Sequence, residues 1–144
     1  MGCKDQGQLP PPTPTPDSEL ITLITKEVDR LYAVYERFDY DWIEFYVNNY
    51  TAISRCTDKA YDQRCPADKV YKIYAKYEVK LLDRGRPTVI SSEDMAISYN
   101  TFYEIFINKE TRDTIKNIGT YMITWKRQSD ESWKIVFETL QNHK

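Results

Sequence analysis

The chain has 144 residues, a length that suits one domain with a hydrophobic core of its own. Its 20 basic and 22 acidic residues leave a net charge of −2, so composition gives no electrostatic case for binding nucleic acid or an anionic membrane surface. No apolar run approaches the roughly 18 residues of a membrane span. Twelve tyrosines and three tryptophans supply large contact areas with polar tips, which suits a pocket or an interface.

Residues 1–16 are predicted to form a tail and a proline-rich tether. The Gly2-Cys3 pair and the polar residues after it resemble the mature start of a bacterial lipoprotein, in which Cys3 would carry the lipid. N-myristoylation of Gly2 is a rival hypothesis, but Gln6 stands where that motif has Ser or Thr. A plain tail with an unmodified thiol is the third alternative.

The lipoprotein hypothesis predicts a place in the bacterial cell envelope, with the membrane contacted only through the lipid on Cys3. At about 3.1 Å per residue, a polyproline II tether from Cys3 onward could hold a domain roughly 40 Å from the membrane. The alternative location is the cytoplasm.

A long amphipathic helix is predicted to begin within residues 15–18. Its apolar stripe steps by three or four residues through Leu20, Ile24, Val28, Leu31, Tyr35 and Phe38. A break containing Asp39 follows, and a short helix is predicted over residues 41–48. Asp41 is interpreted first as its cap, since Glu44 stands in capping-box spacing, and second as a pocket acid.

A short strand is predicted over residues 50–55, and Cys56 and Cys65 bracket the polar loop after it. In an exported protein these thiols would form a disulfide, worth roughly 2.5–3 kcal/mol in the chain-entropy model. In a cytosolic protein they would be two free thiols. No histidine and no second cysteine pair stand nearby, so no zinc site is predicted.

A third helix is predicted from Pro66 to residue 81, with Gly85 marking its end. Its apolar face is predicted to hold Val70, Ile73, Tyr74, Tyr77 and Leu81. Strands are then predicted over residues 87–92, 95–107 and 114–127, with Gly119 as a bulge or bend point. The second of these strands places Tyr99 and Tyr103 on one face and Ala96, Phe102 and Phe106 on the other.

The last strand pairs with its predecessor in a predicted hairpin, residues 120–127 and 133–140, joined by a polar turn. One face of this hairpin is predicted to carry Tyr121, Ile123 and Trp125 on the first arm, and Trp133, Ile135 and Phe137 on the second. So much aromatic surface is unstable in an isolated hairpin, so the upstream helices are expected to cover it.

The closing segments combine several short motifs: Gly119-x-Tyr121, Trp125-Lys126-Arg127, Trp133-Lys134-Ile135 and a last strand ending in Asn142. Upstream of them stand a long helix, an aspartate-containing break and a short aromatic helix. Together these features resemble the nuclear transport factor 2-like superfamily in its SnoaL-like branch. The turn departs from the branch, because Asp130-Glu131 stands where Asp-Gly is usual. The resemblance implies a single α+β domain over residues 17–144: N-terminal helices in the concave face of a strongly curved antiparallel sheet, a cone with a pocket. It also implies a homodimer.

Carboxylates and tyrosines are the side chains of this sequence that could act in catalysis or binding. The one histidine, His143, follows the last strand, which removes Ser-His-Asp and Cys-His arrangements. No phosphate loop, dinucleotide motif or metal-ligand cluster is present, so no cofactor and no metal are predicted. The pocket candidates are Tyr32, Tyr35, Asp39, Asp41, Trp42, Tyr99, Tyr103, Tyr121, Trp125 and Glu138.

Two functions remain open. The first is a non-catalytic module of an exported, lipid-anchored protein, which binds a small apolar or amphipathic ligand or another protein. The second is a small isomerase, dehydratase or cyclase that uses Asp or Glu with Tyr. An inward-facing acid within hydrogen-bond reach of a tyrosine hydroxyl would favour the enzyme.

Overall fold

A computed structural model describes residues 17–37, 40–53 and 67–143. Its elements are α1 (Asp17–Glu36), a 3-10 helix (Tyr40–Phe45), β1 (Tyr46–Ile53), α2 (Ala67–Lys76), β2 (Tyr77–Arg84), β3 (Thr88–Ser92), β4 (Met95–Asn108), β5 (Thr114–Arg127) and β6 (Trp133–Asn142). The predictions made for Cys3, Asp39, Cys56 and Cys65 lie outside the described residues. Over the described ranges, no helix has the length and apolar character needed to cross a membrane.

The predicted α+β architecture is confirmed: α1 packs against a six-stranded sheet that does not close. The strand order is β1-β6-β5-β4-β2, and β3 also pairs with β4. Four of the pairings are antiparallel, but β1 runs parallel to β6, so the sheet is mixed where an antiparallel one was predicted.

The apolar stripe of α1 forms the centre of the core, as its spacing predicts. Ile24 and Val28 are fully buried, and they join one cluster with Ile123, Trp125 and Ile135 of the closing hairpin. Burying one such side chain stabilises the fold by about 1.5–3 kcal/mol. The helix therefore covers the aromatic face of the hairpin that could not be stable alone.

Two predicted helices extend too far along the sequence. The third helix ends at Lys76, and residues 77–84 form β2, where Val79 pairs with Phe106 of β4. Tyr77 and Leu81, four residues apart, fit a helical stripe and a strand face equally well, so periodicity alone misleads. In the same way the short helix ends at Phe45, and β1 begins at Tyr46 because that residue pairs with β6.

The face of β4 that looks toward α1 carries polar as well as apolar residues. Buried on it are Ala96, Ser98, Asn100, Phe102 and Glu104. Each buried polar side chain on it makes at least one hydrogen bond: the Ser98 hydroxyl, for example, accepts from the indole Nε1 of Trp125 at 2.8 Å. Asn100 donates through its amide nitrogen, but its Oδ1 is buried with no partner in the described part of the chain. The opposite face carries Tyr99, which is 39% exposed.

A β-bulge in β6 changes which residues face α1. Trp125 pairs with Ile135 and Thr124 pairs with Phe137, so Val136 is an extra residue in β6. The alternation therefore shifts by one after the bulge, which turns Glu138 inward and Phe137 off the face predicted for it. The prediction that Phe137 shares a face with Ile135 is wrong for this reason.

Gly119 is not a bulge, which is one of the two roles that the sequence predicts for it. It pairs regularly with Phe102 on one side and Asn142 on the other, and its φ is not positive. A Cβ atom there would lie 2.8 Å from the Phe102 ring and closer still to the backbone oxygen of Gln141. The glycine is required by this close approach of strand and ring.

Candidate functional site

A cavity of about 400 Å³ lies between the sheet, α1, the 3-10 helix and α2. Ten of the nineteen described residues that line it are aromatic, and seven of those are tyrosines, so this part of the wall is apolar with hydroxyl groups at defined points. The same described residues include two acids, Glu104 and Glu138, and one amide, Asn117. A cavity of this size and character is typical of a small-molecule site.

Five of the residues predicted for the pocket line this cavity: Tyr32, Tyr35, Trp42, Tyr121 and Glu138. Tyr32 and Tyr35 come from α1, and Trp42 comes from the 3-10 helix. Tyr121 and Glu138 come from neighbouring strands, where the bulge in β6 directs Glu138 toward the tyrosine. Their role in binding stays a prediction.

Four other candidates lie elsewhere. Tyr99 and Tyr103 are on the outer face of β4, because alternation directs their side chains away from α1. Trp125 is fully buried in the core beside Ser98 and does not line the cavity. Asp41 is exposed in the first turn of the 3-10 helix.

Glu138 forms the centre of a three-residue cluster in the cavity. Its Oε2 accepts a hydrogen bond from the hydroxyl of Tyr46 at 2.5 Å and another from the hydroxyl of Tyr121. The two hydroxyl oxygens are themselves 2.9 Å apart. Oε1 has no hydrogen bond within the described part of the chain, so it is the oxygen that a molecule in the cavity could reach.

The surroundings of Glu138 favour its protonated form. Burial raises the pKa of Glu138 above its ordinary value, and the hydroxyl bonds from Tyr121 and Tyr46 oppose that rise. Burial also raises the pKa of both tyrosines well above 10, and the negative charge of Glu138 adds to the effect. Three O···O contacts join the cluster, and the two hydroxyl protons can fill only two of them. In the protonated form, Oε2 donates to one tyrosine hydroxyl, that hydroxyl donates to the other, and the other donates back to Oε2, so that all three contacts are filled.

A second polar cluster surrounds Glu104 on β4. Its Oε1 accepts a hydrogen bond from the side-chain amide of Asn117, which is its cross-strand partner on β5. Its Oε2 accepts from the hydroxyl of Tyr35 at 3.2 Å. Glu104 and Asn117 are each 4% exposed, so this carboxyl is buried and bonded on both oxygens.

Tyr32 lies beside both acid clusters. Its hydroxyl accepts a hydrogen bond from Asn100 at 2.8 Å, and its ring meets Tyr121 edge-on, with centroids 6.4 Å apart. Burial raises the pKa of Tyr32 to about 12, and the negative charge of Glu104 contributes to that rise. The hydrogen bond from Asn100 and the positive charge of Arg84 oppose that rise.

Sequence reasoning missed Tyr46, Glu104 and Asn117. Tyr46 was hidden because its segment was predicted to be helical. Glu104 could have been found, since it falls on the same alternating face as Ala96 and Phe102, and an acid within an inward apolar stripe is unusual. Its hydrogen bond to Asn117 depends on a cross-strand register that composition alone does not give.

No metal site is apparent in the ranges that the structure describes, where no three His, Cys, Asp or Glu side chains come together to hold an ion.

The similarities found among known proteins are similarities of structure. No protein-family model matches the chain, and no curated protein matches its sequence. A nuclear transport factor 2-like superfamily protein from Salmonella enterica subsp. enterica serovar Typhimurium str. LT2 superposes with a TM-score of 0.71 at 12% identity, covering 89% of this chain and 94% of that one. A ketosteroid isomerase-like protein from Erwinia carotovora atroseptica SCRI1043 gives 0.67 at 12% identity, covering 88% and 98%.

A protein assigned as a scytalone dehydratase, from Novosphingobium aromaticivorans DSM 12444, gives a TM-score of 0.70 at 15% identity and covers 90% of this chain and 89% of that one. At identities this low, the likenesses establish the fold and leave activity open. They agree with the α+β architecture described above. The fold implied by the sequence resemblance is therefore confirmed: the chain has the nuclear transport factor 2-like fold.

Proposed function

We propose that the protein is a small acid–base enzyme, which binds a largely apolar molecule in the cavity and exchanges a proton with it through Glu138. The observation that carries this proposal is the Glu138 carboxyl itself: buried, directed inward by the bulge, and held by Tyr46 and Tyr121 on one oxygen. The other oxygen remains for the ligand. The reaction class is an isomerisation, in which a proton leaves one carbon and is delivered to another, or a dehydration, in which a proton leaves carbon and the hydroxyl of the ligand takes up a proton and departs as water.

The physical reasons follow from the lining. A general base works best when its pKa lies near the operating pH, and a carboxyl approaches that range when desolvation raises its pKa. Burial does this at Glu138. The two hydroxyl bonds fix the orientation of the carboxyl, so little reorganisation is needed at the moment of transfer.

The comparisons give this proposal support at the level of fold. Neighbours with the same architecture include a ketosteroid isomerase-like protein and a protein assigned as a scytalone dehydratase. These descriptions apply to the neighbours and are not transferred to this chain. What favours the same kind of chemistry here is the inward acid with its tyrosines.

The test is hydrogen exchange at carbon, with 2-tetralone as an apolar ketone probe. In deuterated buffer the Glu138 carboxylate would take an α-proton to give the enolate and the carboxylic acid, and a deuteron would return to carbon after the acid exchanges with solvent. Proton NMR should show exchange well above the buffer rate, and Glu138→Gln should reduce the protein-dependent rate by about 10²–10⁴-fold. Glu110→Gln, in an exposed turn, is the matched control. Exchange unaffected by Glu138→Gln would refute the proposal.

A second candidate is the non-catalytic binding module. It is favoured by the same two hydroxyl bonds, because a carboxyl held firmly by two tyrosines also serves as a fixed binding group. The exchange experiment separates the two functions: a module binds 2-tetralone, seen as amide chemical-shift changes, without accelerating loss of its α-protons.

We also propose that the protein is exported and held at the bacterial cell envelope by a lipid on Cys3, and that it forms a homodimer. The Gly2-Cys3 start and the proline-rich tether support the first proposal, which metabolic labelling with a fatty-acid analogue and a Cys3→Ala control would test. For the dimer, the support is the outer face of the sheet, where Tyr99 pairs with Met122 and both are partly exposed. Light scattering of wild type and of Met122→Lys would test it.

A further inference from the structure

The inward row of β5 lacks one side chain where it forms the cavity wall. Asn117 and Tyr121 both line the cavity, and Gly119 stands between them on the same face of the strand. Each of the two flanking residues belongs to a polar cluster, since Asn117 donates to Glu104 and Tyr121 donates to Glu138. The glycine therefore leaves a gap in the wall between the two acids.

The Phe102 ring fills this gap from the neighbouring strand. Phe102 pairs with Gly119 across β4 and β5, and it is 4% exposed. A Cβ atom on Gly119 would lie 2.8 Å from the ring carbon Cζ and 2.9 Å from Cε1, which is closer than carbon atoms approach in an ordinary contact. The far edge of the ring thus lies directly on the glycine, in the place that a side chain at this position would take.

The same ring lines the cavity, so its height above β5 sets the depth of the cavity at this point. Ordinary contacts begin at 3.4 Å, so a methyl group on Gly119 would have to displace the edge of the ring by about 0.6 Å. Because a Cβ atom at this position points inward, the displaced ring would move toward the space that a ligand would occupy. The missing side chain at Gly119 is what allows the Phe102 ring to lie close to β5.

We infer that Phe102, lying on Gly119, is a specificity-determining residue of this cavity: its ring is the surface that an apolar ligand contacts between Glu104 and Glu138, and its height limits the space open to that ligand. The inference rests on the proposed function only in placing an apolar ligand in the cavity. It adds the pair of residues that sets the space for the ligand, and it gives Gly119 a role in binding besides its role in the sheet.

Phe106 offers a matched control on the same strand. It lies four residues after Phe102 on the inward face of β4 and lines the same cavity. Its partner on β5 is Ile115, which has a side chain of its own and is 52% exposed. Removal of the Phe106 ring therefore opens a space beside an exposed residue, whereas removal of the Phe102 ring opens a space over the buried Gly119.

The test removes the Phe102 ring and supplies a ring again as a free molecule. The ketone 2-tetralone is titrated into wild type and Phe102→Ala, with and without saturating benzene, and binding is followed by amide chemical shifts. Phe102→Ala should bind 2-tetralone about tenfold more weakly, because the ligand loses an apolar contact of ring size. Benzene should restore most of that affinity by occupying the space over Gly119, as apolar molecules do in engineered apolar cavities. It should not tighten binding to the wild type, where the ring already fills that space, or to Phe106→Ala.

A double-mutant comparison tests the role of Gly119. Gly119→Ala should weaken 2-tetralone binding about threefold or more in the wild type, because the methyl group displaces the ring into the cavity. It should not weaken binding further in Phe102→Ala, where no ring is displaced. The collision of the methyl group with the backbone oxygen of Gln141 is common to both backgrounds, so it cancels from the comparison. Phe102→Leu is a milder second variant, which should lose part of the affinity and regain it with benzene if Phe102→Ala does not fold.

The inference is overturned if Phe102→Ala and Phe102→Leu both bind 2-tetralone as tightly as the wild type, or if benzene restores affinity in neither. It is also overturned if benzene tightens binding to Phe106→Ala equally, or if Gly119→Ala weakens binding equally in both backgrounds. These failures are distinguishable from failure of the proposed function, because they are measured as binding. The proposed function fails when Glu138→Gln leaves the rate of α-proton exchange unchanged.

Discussion

Replacing Glu138 with glutamine should make the protein more stable at neutral pH, by an amount that grows with pH. The folded protein holds a proton on this carboxyl above the ordinary pKa of 4.5, because burial disfavours the charged form. Below pH 4.5 both the folded and unfolded chains carry the proton, and Glu138 contributes no pH dependence. Between 4.5 and the raised folded pKa only the folded chain carries it, so wild-type stability falls as pH rises.

The size of this stability difference is set by the one proton that the folded chain keeps on Glu138 and the unfolded chain releases. Within that window the free energy of unfolding of the wild type should fall, relative to Glu138→Gln, by up to about 1.4 kcal/mol per pH unit. Above the folded pKa the difference becomes constant, since both states are then ionised. Glutamine keeps a carbonyl oxygen that can accept from Tyr46 and Tyr121, so the hydroxyl groups stay bonded.

The assay is urea denaturation followed by tryptophan fluorescence at a series of pH values from 4 to 8, for wild type, Glu138→Gln and the exposed control Glu110→Gln. The quantity compared is the difference in unfolding free energy between each variant and the wild type at the same pH. The control removes the contribution that any glutamate makes through net charge. A difference for Glu138→Gln that is flat across this range, or that falls with pH, would refute the argument that burial raises this pKa.

Three further changes test other parts of the structure. Gly119→Ala should destabilise the fold by about 1–3 kcal/mol, because its Cβ would collide with the Phe102 ring and a facing carbonyl, and urea denaturation measures the loss. Glu131→Gly should stabilise it by about 1 kcal/mol, since Glu131 adopts a φ of 68° that glycine accepts without strain; an unchanged denaturation midpoint would contradict this. Tyr121→Phe should raise the pKa of Glu138 further by removing a bond that lowers it, and carboxyl NMR titration would reveal a shift in either direction.

Much of the fold could be predicted from sequence because its elements carry unambiguous local patterns. The stripe of α1 has a period that only a helix satisfies, and Ile24 and Val28 are buried as it requires. The closing hairpin is bounded by a polar turn on one side and alternating aromatic residues on both arms. The turn of this hairpin departs from the SnoaL-like pattern that the sequence resembles, because Glu131 stands where glycine is usual. Glu131 nevertheless has the left-handed φ that favours glycine.

The errors arise where partners distant in sequence decide the structure. Tyr77 and Leu81 fit a helix by spacing, but pairing with β4 makes them part of a strand. The bulge at Val136 depends on the register between β5 and β6, and it alone determines that Glu138, and not Phe137, faces α1. The candidate site was therefore predicted only in part: its acids and tyrosines are visible in the sequence, but their convergence depends on the register.

Glu138 is an inward, buried carboxyl whose pKa is raised above its ordinary value, and the proposed proton exchange depends on this property. It can be measured by carbon NMR titration of the side-chain carboxyls in protein labelled at glutamate, compared with Glu138→Gln. We predict one glutamate resonance that titrates clearly above 4.5 and is missing from the variant spectrum. If the resonance that the variant lacks titrates at or below 4.5, the carboxyl is solvated, and the proposed proton exchange loses its basis.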